Sequence, residues 1–127
     1  MATGNSSIFP VLGQANPISV VAAGTLVSGW IDASQAHRII TLLMAGAGGG
    51  TPALSFRQAN TAAGGGAKAL AWSAGTLASS RIYVDNDPAQ LDVAGGFRWI
   101  EVTATVTGGT GTVVGFVVLG GEPKLAN

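Results

Sequence analysis

The sequence has no cysteine. That excludes a disulfide framework and any thiolate metal site. Charge is also scarce, at 9% of residues against about 25% in ordinary soluble proteins. Six Lys and Arg balance six Asp and Glu, for a net charge of zero. Six scattered cations make no basic stripe, so no nucleic-acid partner is expected. The longest uncharged stretch near the C-terminus, Val102 to Gly121, is interrupted by Gly108-Gly109-Thr110-Gly111. It reads as two strands and a turn rather than an apolar helix long enough to span a bilayer, so no membrane partner is expected either. No segment has a convincing helical period, which removes parallel βαβ architectures.

What remains is glycine and small or apolar side chains. The chain has 127 residues, 20 of them Gly, and 47% are hydrophobic. Its mean hydropathy is +0.44. Disorder requires low hydrophobicity and high charge, and this composition is the opposite. The length allows one domain that buries about two-thirds of its unfolded surface. Twelve charges cannot cover such a surface. The exposed area must then consist largely of Gly, Ala, Ser, Thr, Asn and Gln with some apolar side chains. Zero net charge offers little protection against self-association. Coverage by other subunits, identical or different, resolves that surface most simply.

Residues 1–17 contain no charge and include Pro10 and Pro17, which favour extended backbone. With Ile8, Phe9, Val11 and Leu12 they read as an extended N-terminal arm. Ile8, Phe9, Pro10, Val11 and Leu12 are its expected partner interface. Strands are expected at 18–23 and, after Gly24, at 25–30. The segment 37–45 is apolar on both faces and should be central or covered twice. In 53–60, Leu54, Phe56 and Gln58 share one side. Further strands are expected at 81–85 and 90–93. From Phe97 to Thr107 the apolar phase changes near Trp99-Ile100, which predicts a bulge there. Gly108 to Gly111 reads as a hairpin turn into a last strand at 112–119. Eight or nine short strands with regular turn signals predict an all-β antiparallel sandwich of jelly-roll type. The expected organisation is the arm at 1–17, the sandwich at 18–121 and a polar tail at 122–127. The N-terminus lacks the basic region and apolar run of a secretion signal, so no signal peptide is expected.

Candidate chemistry is thin. His37 is the only histidine, and Ser34 and Asp32 lie close to it in sequence. A nucleophilic triad requires spatial rather than sequential proximity, and a strand-edge histidine is the plainer reading. Asp85-Asn86-Asp87 offers hard oxygens like the opening of a calcium loop. It lacks that loop's glycine and late glutamate, so an Asx turn competes with ion binding. Gly64-Gly65-Gly66-Ala67-Lys68 lacks the spacing and following hydroxyl of a phosphate cradle. Glu101 sits mid-strand and makes an unsupported half of a carboxylate pair. Trp30, Trp72 and Trp99 could form a sugar-binding platform, or serve as core and interface anchors. No catalytic residue, metal ligand or cofactor is expected, and the chain does not read as an enzyme.

Several segments together are similar to small head-associated structural proteins of tailed bacteriophages. They are His37-Arg38-Ile39-Ile40 and Phe56-Arg57-Gln58-Ala59, followed by a glycine-rich turn into Ala67-Lys68-Ala69-Leu70. Gly96-Phe97-Arg98-Trp99-Ile100-Glu101-Val102-Thr103 and the terminal Val117-Val118-Leu119-Gly120-Gly121 complete the pattern. The similarity spans roughly residues 18–121. It implies a virion protein made in the host cytoplasm, with no catalytic residues. The expected role is capsid decoration or cementing on the outer shell. The implied partners are the major capsid protein and further copies of the chain, with a trimer favoured. The alternatives are another virion position, such as a head-fibre base, tail or adaptor protein, and a carbohydrate-binding module.

Overall fold

The computed structural model describes residues 11–34, 36–46, 49–78 and 80–123. Among them are six strands: β1 (Val11–Asp32), β2 (Ala36–Ala45), β3 (Thr51–Ala59), β4 (Lys68–Ala69), β5 (Arg81–Asn86) and β6 (Trp99–Pro123). The only helical elements described are two single 3-10 turns, Pro88–Gln90 and Val93–Gly95. They occupy the place where a short strand was expected at 90–93.

β1 and β6 are 22 and 25 residues long, several times the usual strand length of about five or six. They pair antiparallel from Val11↔Leu119 to Asp32↔Trp99. The other side of β6 is shared. Its first half pairs with β3, from Ala59↔Trp99 to Thr51↔Thr107, and β3 pairs with β4. Its second half pairs with β2, from Ala45↔Val114 to Ala36↔Pro123, and β2 pairs with β5. Two antiparallel layers result. The first is β1-β6-β3-β4 and the second is β1-β6-β2-β5, with β1 and β6 running through both.

The period-two alternation of the sequence builds these layers. In β3, Pro52, Leu54, Phe56 and Gln58 are buried while Thr51, Ala53, Ser55 and Arg57 are exposed. In β6, Ile100, Val102, Ala104 and Val106 point inward, and so do Val114, Phe116 and Val118. β5 buries Ile82 and Val84 between exposed Arg81, Tyr83 and Asp85. The inward side chains of both layers merge into one hydrophobic cluster. The all-β, antiparallel, two-layered expectation therefore holds.

Three local expectations do not. The hairpin at Gly108 to Gly111 is absent, because β6 continues through those residues, bulged against β1 and with Gly108 at φ +75°. A hairpin would have paired 97–107 with 112–119. Both halves of β6 instead pair with β1 and with separate third strands. The bulge expected at Trp99-Ile100 is also absent, since β6 stays in register with β3 there. Phe97 lies before β6, so the phase change is a loop-to-strand boundary. The bulge is on the facing strand. β1 takes three steps from Val27 to Trp30 while β6 takes two from Thr103 to Glu101. Gly29 supplies φ +77° within it, a conformation that disfavours any side chain. Ser28 Oγ accepts from the Val102 backbone N–H at 3.0 Å and closes the gap in the ladder.

The expected boundary at residue 17 falls inside β1. Val11 and Leu12 lie in that strand, and Val11 to Ala15 pair with β6 of the same chain. That part of the expected arm therefore belongs to the sheet. Ile8, Phe9 and Pro10 lie outside the described residues. The boundary at 121 likewise falls inside β6, which continues to Pro123 opposite Ala36.

Candidate functional site

Most of the chemically suggestive side chains are committed to structural partners. Asp32, at the end of β1, accepts from Ser34 N at 2.9 Å and Ser34 Oγ at 2.7 Å. Arg98 grips both its oxygens, with Nε donating to Oδ1 at 3.1 Å and Nη2 donating to Oδ2. Burial would raise the Asp32 pKa, but the bonds from Arg98 and Ser34 outweigh it and hold the carboxyl at about 2. Asp32 thus orients Ser34 and Arg98 rather than a histidine. The Ser34 hydroxyl donates to a carboxylate whose basicity the Arg98 bonds depress, which makes Asp32 a poor general base for it. His37 is exposed at the start of β2. It lines a concavity of about 430 Å³ with Ala36, Pro88, Val93, Phe97 and Arg98. The three residues share one end of the fold without forming a triad.

The acidic run at 85–87 is split by strand geometry. Asp85 faces outward and accepts from Arg38, whose Nε lies at 2.8 Å. Asn86 faces inward, where it accepts from Ser73 N at 3.1 Å and donates to Ser73 O at 3.2 Å. Asp87 caps the following 3-10 turn through Ala89 N at 2.9 Å. Three side chains serve three different partners, so they do not converge on an ion. Among the described residues no cluster of three or more His, Cys, Asp or Glu is placed to hold a metal.

Lys68 is likewise occupied. Its Nζ donates to Asp92 at 2.7 Å and lies 4.2 Å from the centre of the Phe97 ring. The Lys68 bond, with one from Gly95 N, lowers the Asp92 pKa. Glu101 pairs with Arg57 at 3.2 Å across β6 and β3. Only two of the three tryptophans share a face: Trp30 and Trp99 are diagonal neighbours on the outer side of the first layer. Trp72 is in the core, edge-on to Phe56 with ring centroids 5.4 Å apart. Trp30 is half-buried beneath the glycine loop, with Arg57 5.5 Å from its ring centre. Trp99 is half-buried beside Arg98.

The outer surfaces of the two layers differ sharply. Layer one presents mainly hydroxyls, Thr25, Ser55, Thr105 and Thr107, all exposed, with Val27 as an exposed apolar side chain beside Thr25. Layer two presents apolar side chains. Leu42 on β2 sits between Tyr83 of β5 and Val117 of β6 in one cross-strand row. Met44 and Tyr83 are 65% and 57% exposed, and Leu42 and Val113 are 36% and 41% exposed. Leu42, Met44 and Tyr83 also wall a groove of about 570 Å³ with Thr76 and Ala78. Arg81 and the Arg38–Asp85 pair mark the ends of this surface. The sequence carried the signal for it, in the apolar outer positions of 37–45. Those positions were expected to be covered. β2 is central, between β5 and β6, yet its outer face is open.

Among the described residues no helix is long and apolar enough to cross a membrane. No protein-family model, no curated protein and no solved structure matches the chain.

Proposed function

We propose that this chain is a non-enzymatic structural subunit that seats on a larger particle. The particle is the capsid shell of a tailed phage, and the role is decoration or cementing. The observation that carries the reading is the contrast between the two outer faces. The open apolar face of β2 and β5 is the contact surface, and the hydroxyl-lined face of β1, β6 and β3 turns to solvent. Apolar burial contributes about 25 cal/mol per Å², reduced by the ordering that association requires. A permanent assembly tolerates an apolar surface that a free monomer carries at the risk of aggregation. The similarity at His37-Arg38, Phe56 to Ala59 and Gly96 to Thr103 supplies the identity of the particle. Trp72 is in the core and Trp30 and Trp99 are both half-buried against arginines, which weighs against the carbohydrate-binding alternative.

The test is co-sedimentation with shells of the major capsid protein encoded in the same genome. Wild type should pellet with the shells. Leu42→Asp and Met44→Asp should abolish pelleting, and Met44→Asp should do so without lowering the melting temperature, because Met44 is 65% exposed. Unchanged pelleting of both variants would overturn the reading. Pelleting with tails and not with shells would move the protein to another virion position.

A further inference from the structure

The longest unpaired feature of the fold is an edge. β1 pairs with β6 and, among the described residues, with no other strand, so it forms the margin of both layers. Natural edges are guarded by shortness, Lys, Pro, bulges or a covering loop. β1 has 22 residues, and no Asp, Glu, Lys or Arg occurs before Asp32. Its guards sit at particular places. Pro17 and the register shifts around Val21 interrupt one part, and the bulge at Ser28-Gly29 interrupts another. Beyond that bulge the glycine loop closes over Trp30, with Gly64 hard against the indole. Between them, Ala23 to Val27 pairs with Thr107 to Thr103 without any shift. In this run Thr25 is exposed and Val27 is 52% exposed.

We propose that this run of β1 is a self-pairing edge, through which two copies of the chain join antiparallel across a two-fold axis at Thr25. Thr25 then faces Thr25 of the partner subunit, and Val27 faces Ala23 of the partner subunit. The first layers of the two copies fuse into one sheet of eight strands. A second copy is the occupant because identical antiparallel edges are complementary by construction, needing only a two-fold axis. The edge has no charge with which to select a different partner, and the chain's zero net charge sets up no repulsion between copies. The outer face of layer two stays open in such a pair, so the inference stands apart from the capsid reading. It replaces the trimer that the phage resemblance implies with a dimer.

The absence of native cysteine makes the test direct. Opposed β-carbons in an antiparallel pair lie about 4.5–5.5 Å apart, close to disulfide geometry. Thiols held face to face react at an effective concentration in the millimolar range. At about 10 μM chain, Thr25→Cys should then cross-link on mild oxidation roughly 100-fold faster than Met44→Cys, whose parent side chain is more exposed. By light scattering, wild type should have the mass of a dimer. Thr25→Lys combined with Val27→Lys should have the mass of a monomer with an unchanged fold by circular dichroism. Equal cross-linking rates, a wild-type monomer or trimer, or a Lys variant that remains dimeric would each overturn the proposal. Shell pelleting by the Lys variant reports on the capsid reading separately.

Discussion

Asp32 is the most tightly held carboxylate described, with two donors from Ser34 and two from Arg98. Its pKa falls from the ordinary 3.8 to about 2. A folded-state pKa below the unfolded value stabilises the fold above the unfolded pKa, and that contribution disappears as pH falls through the folded one. The window here runs from about pH 4 to about pH 2. At full strength the shift corresponds to about 2.5 kcal/mol. Arg98 is half-exposed, and solvent screening leaves about 1 kcal/mol. Asp32→Asn should therefore melt about 3–5 °C below wild type at pH 7. The gap should close as pH approaches 2. Thermal melts of both proteins from pH 7 to pH 2 check this. A gap that persists unchanged at pH 2 would mean that Asp32 acts through packing rather than charge. Sequence proximity joined Asp32, Ser34 and His37 only as neighbours in the chain. It could not reveal that Arg98, 66 positions along the chain from Asp32, takes the carboxylate.

Strands with a simple alternation were legible, and β3 is the clearest case, with Leu54, Phe56 and Gln58 on one buried side as expected. β1 and β6 were not legible as single elements. Glycine marked both expected breaks, at Gly24 and at Gly108 to Gly111. Turn composition is a local signal, whereas the pairing that carries β6 through its glycines comes from strands far away in sequence. The phase change at Trp99-Ile100 marked the start of β6 and not a bulge, and the bulge at Ser28-Gly29 was not read from the sequence, because a register shift belongs to a pair of strands. The device that accommodates it is Ser28. Its Oγ accepts from Val102 N, a backbone donor that the bulged strand leaves without a carbonyl. Ser28→Ala should leave that buried N–H unpaired and cost about 1–2 kcal/mol. The Val102 amide should also exchange faster with deuterium, while the amides of β5 keep their protection. Wild-type stability and protection in Ser28→Ala would show that the ladder closes without the hydroxyl.

At the scale of the molecule, the scarcity of charge has a structural counterpart. Four of the six cations pair with four of the six acids, as Arg38–Asp85, Arg57–Glu101, Lys68–Asp92 and Arg98–Asp32. Most of the chain's few charges are therefore neutralised within the fold, and the surfaces assigned to contact carry almost none. The face of Leu42, Met44 and Tyr83 is apolar, and the edge at Ala23 to Val27 is uncharged backbone. Association through such surfaces has a distinct salt response. Ionic contacts weaken as the screening length drops to about 3 Å in 1 M salt. Apolar contacts persist in sodium chloride and strengthen with sulfate, which is excluded from protein surface. Both the mass of the free protein and its retention on shells should therefore be unchanged from about 0.05 to 1 M sodium chloride. Both should hold to greater dilution in sulfate. Light scattering and co-sedimentation across the same salt series measure the two contacts separately. Release in 1 M sodium chloride would assign the affected contact to the remaining charged groups, Arg81 first among them, because it borders the apolar face beside Met44.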